Sequence, residues 1–196
     1  MPLSKPWLPW LILFILAITW GSSFILIKRG LEVFPSGEVG ALRVVITWLF
    51  LFPFTIKYLR KFSRKQWYLF GAVGMVGSLI PAFLFAAAQK GIDSSLAGIL
   101  NSLTPLFTML VGLVFFRTKP RWYNAAGVVI GLAGAMGLVS ISGSGDFSFN
   151  MGYAILIIIA ALCYAVNVNL IKGFLQGINP VAITSLAFFT VGPLAL

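Results

Sequence analysis

Few groups in these 196 residues could do chemistry inside a nonpolar medium: one arginine, a polar cluster ahead of a proline, and two aromatic–polar pairs. Arg43 is the one charge well within an apolar run, Val39–Ile56. A guanidinium at membrane depth costs several kcal/mol unless it meets a partner, a cavity or the interface. Arg43 lies four residues past Val39, about 6 Å of helix, so snorkelling to the outer interface competes with a cavity-facing role. Facing a cavity, it would suit a carboxylate or a contact to a helix end. Asn101, Ser102 and Thr104 precede Pro105 in mid-run. Proline removes a backbone hydrogen bond there, and the side chains either patch the freed carbonyls or form a site beside a broken helix. Asn101 is the stronger candidate, because a whole amide needs partners. Trp20 and Ser23 are three apart and share a helical face; Tyr164 and Asn167 repeat that spacing.

Other chemistry has little to work with. There is no histidine, the single cysteine, Cys163, lies in an apolar run, and no run pairs two carboxylates. The commonest general base and metal ligand are therefore missing, and one chain has no disulfide framework. The expectation is a protein that is not an enzyme and uses no metal and no cofactor.

These residues sit on seven apolar runs: Pro6–Ile27, Val39–Ile56, Trp67–Ala88, Ser94–Phe116, Trp122–Ser142, Met151–Ile171 and Val181–Leu196. Roughly 20 helical residues cross the hydrocarbon of a bilayer, so the first six suffice to span it. Runs this long and this poorly alternating are helices rather than barrel strands. The fold class is an all-α integral membrane bundle. Pro6–Ile27 exceeds a signal-peptide core and no small-x-small site precedes Lys28, so it reads as a retained helix. Pro81 and Pro105 mark kinks or hinges. Gly71, Gly74 and Gly77 in the third run and Gly127, Gly131 and Gly134 in the fifth read as close-packing faces, and Asp93 reads as a helix N-cap.

The charges orient the bundle. Lys5, Lys57, Arg60, Lys61, Arg64, Lys65, Arg117, Lys119, Arg121 and Lys172 put ten of the fourteen basic residues on one side. All four acids, Glu32, Glu38, Asp93 and Asp146, lie on the other. Basic loops stay in the cytoplasm, so the amino terminus is cytoplasmic and the expected location is the inner membrane of a cell. The same rule accounts for the net charge of +10, which leaves no call for nucleic acid as a partner.

A shift of 144 residues lays Ile15–Leu31 on Ile159–Leu175. Ile15, Ala17, Leu26, Ile27, Lys28 and Leu31 recur as Ile159, Ala161, Leu170, Ile171, Lys172 and Leu175, and Trp20 meets Tyr164. Chance likeness between two apolar helices is the competing account; the shared exit Leu-Ile-Lys followed by a proline speaks for a repeat. Its unit, residues 1–145, holds five spans, an odd number, so the second copy enters from the opposite side. Residues 146–196 begin that inverted copy. Inverted repeats are a building plan of secondary transporters, with the site near the midplane. Two copies of about 145 residues make roughly 290, so the expectation is a fragment, or else a part that pairs with a second copy as a homodimer.

The order of Trp20-Gly21-Ser22-Ser23-Phe24 with Lys28, Arg43 in Ala41-Leu42-Arg43, Leu103-Thr104-Pro105-Leu106-Phe107, and Gly127 with Leu132-Ala133-Gly134 resembles the drug/metabolite transporter superfamily. Within it the resemblance is to the EamA-like ten-helix members, over the whole chain as helices one to seven. One departure is Phe115-Phe116-Arg117-Thr118 where that family has Gly-Glu, so nothing assigned to that Glu carries over. The resemblance implies two inverted five-helix halves around a cavity, and movement of small metabolites such as amino acids. The expected function is alternating-access secondary transport, as an exporter, with the lipid bilayer and a small-molecule substrate as partners. The cavity candidates are Trp20, Ser23, Arg43, Asn101, Thr104, Tyr164 and Asn167. The alternatives are a non-transporting receptor or scaffold, and a small-multidrug-type cation antiporter, which would need a carboxylate that none of the seven runs contains.

Overall fold

The computed structural model describes residues 7–119, 121–141 and 150–196; for 135, 136 and 138–141 only the backbone is described. Seven helices in chain order account for the seven apolar runs: α1 Leu8–Gly30, α2 Ser36–Tyr58, α3 Arg64–Ala88, α4 Ser94–Phe116, α5 Trp122–Ile141, α6 Met151–Phe174 and α7 Pro180–Ala195. No strand occurs among the described residues. Helices α1, α2, α3, α4 and α6 are each long and apolar enough to cross a bilayer, which makes this a multi-pass membrane protein.

Local chemistry sets the helix ends. Ser63 and Gln66 start α3 with a reciprocal capping box, in which each side chain satisfies the other's backbone N–H. Asn150 and Asn179 accept the N–H groups of Gly152 and Val181 to start α6 and α7. Asp93 takes the N-cap position of α4 with extended backbone, but its side chain makes no cap hydrogen bond; only its carbonyl serves the helix, accepting from Ala97 N–H. At the far end of α4, Arg117 adopts the left-handed conformation, φ 51°, while the next N–H, of Thr118, returns to Gly112 O.

Two helices are irregular. In α3 the hydrogen-bond register widens to a π-helical stretch over Met75–Leu79, just ahead of Pro81 in the first turn of Ile80–Ala88. In α4 the helix breaks between Ser94–Asn101 and Thr104–Phe116, with Pro105 in the first turn after the break. Proline cannot donate and crowds the preceding turn, so both disruptions fall where its missing N–H does least harm. Pro53 is carried inside α2 without a break.

Packing follows small residues. Helix α6 runs between α3 and α4, burying Ala154, Ile157, Ala160, Ala161, Ala165 and Asn169. Its start lies against the end of α3, where Tyr153 covers Gly91, and its end lies against the end of α4, where Phe116 covers Gly173. Lys28, at the end of α1, reaches that same end of α3 through Gln89 O and Ile92 O, so α6 runs opposite to α1. Helix α7 packs on α2 and α3, and a Cβ on Gly74 would stand 2.6 Å from Ala187 O. The glycine faces thus divide. Gly74 and Gly77 are close-packed, while Gly71 of α3 and Gly127, Gly131 and Gly134 of α5 have nothing within 4 Å of a would-be Cβ; among the described residues α5 makes its main contacts with α4. Outward-facing apolar side chains, from Trp10 and Phe14 on α1 to Phe50 on α2 and Phe115 on α4, form a lipid-compatible surface.

Candidate functional site

Arg43 stands seven residues into α2, which begins at Ser36, about 10 Å along the axis. That is deeper than the apolar run implied, because the helix, capped by Pro35, starts at Ser36, three residues before Val39. Its guanidinium Nη1 is buried and has no hydrogen-bond partner. Arg43 lines a cavity of about 450 Å³ with Ser23 of α1, Thr47 of α2, Gly77 and Ser78 of α3, Tyr164 of α6 and Phe188 of α7. That volume lies in the range of small-molecule sites.

The fold builds this cavity from its irregularities. Gly77 and Ser78 belong to the π-helical stretch of α3, a distortion common at functional sites. The Asn167 amide packs directly on Gly77, where any side chain would collide with it. Its Oδ1 is buried and unpartnered, like Arg43 Nη1. Tyr164 is held by stacking on Phe85 at a centroid distance of 5.9 Å and 25° between planes, and Phe85 in turn meets Phe24 of α1 at 5.6 Å. Thr47 turns its hydroxyl back to Arg43 O at 2.7 Å. Among the described residues the one ion pair is Arg29–Glu32, exposed at the end of α1, so no acidic side chain neutralises Arg43.

The structure brings Ser23, Arg43 and Tyr164 into this cavity and sets Asn167 in its wall behind Gly77. Trp20, Asn101 and Thr104 are not among the lining residues. Trp20 lies on the outer face of α1, 65% exposed. Asn101 Oδ1 accepts the Thr104 hydroxyl at 3.3 Å across the break in α4, so the amide patches the interrupted helix. Thr47 and Ser78 were missed in sequence reasoning, since single hydroxyls on helices usually bond back to their own turn. Pro105 and Pro81 sit at the two irregularities, Pro81 buried beside the cavity wall. Asn169, two residues past Asn167, points away from the cavity and donates to Thr108 O and Ala165 O, fastening α6 to α4. A separate, smaller hollow of about 280 Å³ lies at the ends of α1 and α3, lined by Lys28, Leu31, Glu32, Gln89 and Lys90. Among the described residues no cluster of His, Cys, Asp or Glu could hold a metal ion.

Fold and site together define a helical membrane protein with a cavity between its helices, lined by a cation that no acidic side chain among the described residues neutralises. More particularly, the chain belongs to the EamA-like transporter family, whose sequence profile matches residues 7–140; it is a family of transporters, not of enzymes. Among similar proteins is the "uncharacterized inner membrane transporter YedA" of Escherichia coli (strain K12), 29% identical over 78% of this chain and 49% of that protein. An "uncharacterized transporter" of Archaeoglobus fulgidus is 25% identical over 90% of this chain and 62% of that protein. A "probable amino-acid metabolite efflux pump" of Salmonella typhimurium is 26% identical over 90% of this chain and 57% of that protein. The chain spans about half the length of the first of these and less than two thirds of the others. No solved structure matches it significantly.

Proposed function

We propose that this chain supplies the first five-helix half and the start of an inverted second half (residues 1–145 and 146–196) of a secondary transporter that exports small metabolites by alternating access. The observation that carries this reading is the cavity of about 450 Å³ at Arg43, since a buried cation is too costly to keep without a function. Likeness to proteins named as an inner membrane transporter and as an amino-acid metabolite efflux pump supports the class and direction. The antiparallel course of α1 and α6 agrees with two copies that enter from opposite sides. The site residues are Arg43, Ser23 and Tyr164, with Asn167 in the wall. The ten basic residues on one side support a cytoplasmic amino terminus in an inner membrane. No nucleotide-binding loop occurs in the sequence, so a solute or ion gradient drives the movement.

The test is counterflow in proteoliposomes preloaded with unlabelled amino acids and supplied with labelled ones outside. Accumulation that wild-type protein supports and Arg43→Gln loses is the expected result. A membrane with no flux of any amino acid, in either direction, would turn the reading toward a receptor or scaffold.

A further inference from the structure

The connection between α2 and α3 is more densely charged than orientation requires. Lys57, Arg60, Lys61, Arg64 and Lys65 put five of the fourteen basic residues into nine consecutive positions, 57–65. No acid occurs in the sequence between Glu38 and Asp93, and all five cations are exposed. We infer that this surface binds the headgroup phosphate of an anionic phospholipid in the leaflet that the α2–α3 connection faces. The inference goes beyond transport and stands whether or not the chain moves a solute.

Local packing holds the charges in place. Tyr58, Leu59, Phe62 and Trp67 pack against a buried cluster that includes Phe70 and Leu186, and Phe62 and Trp67 meet the Phe70 ring edge-on at 5.1 Å and 6.1 Å. The anchored Tyr58 ring in turn gathers two ammonium groups, Lys57 Nζ at 6.0 Å and Lys61 Nζ at 5.4 Å from its centroid. Like charges gathered at one ring repel until an anion joins them. Arg64 and Lys65 stand in the first turn of α3, the end at which a helix favours anions over cations. The Ser63–Gln66 capping box already closes that end, so the side chains, not the backbone N–H groups, are left to meet an anion. Both placements are unfavourable in the bare protein and become favourable once a phosphate lies against them.

Depth selects the source of the phosphate. Helices α2 and α3 are each long enough to span, so the turn between them lies at headgroup level, where Trp and Tyr rings also settle. Trp67 and the exposed Tyr68 stand at this level. About four to eight Lys and Arg beside a span form a surface for anionic lipid. The outward-facing Phe54 and Ile56 in the last turns of α2 give the acyl chains of the same molecule a second contact, which a soluble phosphate lacks.

The experiment titrates the whole chain, in a neutral detergent, with dioleoyl-phosphatidylglycerol or dioleoyl-phosphatidylcholine and counts bound lipids by native mass spectrometry. Phosphatidylglycerol should bind at least about tenfold more tightly than phosphatidylcholine. Lys61→Gln with Arg64→Gln should weaken it by about thirtyfold, and Lys61→Arg with Arg64→Lys should retain it. The control removes two charges from the same side of the bundle, Lys119→Gln with Arg121→Gln. It should change binding by less than about threefold, because distant exposed charges are screened. Equal binding of the two lipids overturns the inference. So does an equal loss in the two charge-removing variants, which leaves only the general charge of that side. Inorganic phosphate and glycerol 3-phosphate in tenfold excess should displace nothing; displacement overturns the lipid source and assigns the surface to a soluble phosphate compound.

Discussion

Helices α1 and α6 carry matching residues at a shift of 144 and live in opposite surroundings. Helix α6 buries six residues between α3 and α4, whereas α1 buries only Ile27. Ala17 and Ala161 make the point at one matched position: the first is exposed, the second fully buried. The difference lies in the rest of each face. Helix α6 has Ala154, Ala160, Ala161 and Ala165 where its neighbours approach, while α1 turns Leu11, Phe14, Ile15 and Ile18 outward. Apolar content, similar in both, says that a helix enters a membrane; the distribution of small side chains says whether it is then surrounded by protein. The exits differ as well. Lys28 holds α3 by two carbonyls, at 2.9 Å and 3.1 Å, and Lys172 is exposed.

The sharpest way to break this contrast is a pair of enlargements at the matched alanines. Ala161→Leu should cost about 1–3 kcal/mol by overpacking a fully buried position, and Ala17→Leu should stay within about 0.5 kcal/mol; reversible unfolding in mixed micelles measures both. Equal losses would show that α1 is as enclosed as α6. Next in size is the exit lysine. Lys28→Met should lose about 1–2 kcal/mol, since two carbonyls at a helix C-terminus lose a charged donor, while Lys172→Met should fall within about 0.5 kcal/mol. At the third matched pair the readout is counterflow. Tyr164→Phe should weaken apparent affinity by a few-fold, up to about tenfold for one hydroxyl in a cavity, and Trp20→Leu should not alter it. The smallest effect belongs to Asn101→Ala. With its amide bridging only the break in α4, flux should stay within about twofold of wild type, a change of some 0.4 kcal/mol.

Much of the architecture was legible because membrane helices are written in long apolar words. The runs Ser94–Phe116 and Trp67–Ala88 end where their helices end, and Pro105 marks the break in α4. Arg43 was legible as the residue most in need of an explanation, but its depth was not. Hydropathy starts the count at Val39, while the helix, capped by Pro35, starts at Ser36. Asn101 looked like a ligand group because its partner, Thr104, is only a partner once the break is formed. The glycines misled in α5, where spacing alone cannot say which neighbour, if any, approaches. Least legible was the widened turn Met75–Leu79, since a change of hydrogen-bond register leaves no residue type of its own.

That turn has a consequence for how this sequence can vary. One helical residue corresponds to about 100° of rotation, so the widened register sets the angular phase of everything from Ile80 to Ala88. Removing a single residue there would restore an ordinary helix and swing Ala82, Phe85 and Ala86 away from the partners that now bury them. The segment is therefore held by length more than by spelling: apart from Gly77, where a side chain would meet Asn167, its amino acids matter less than their number, which is fixed by the cavity that the turn faces.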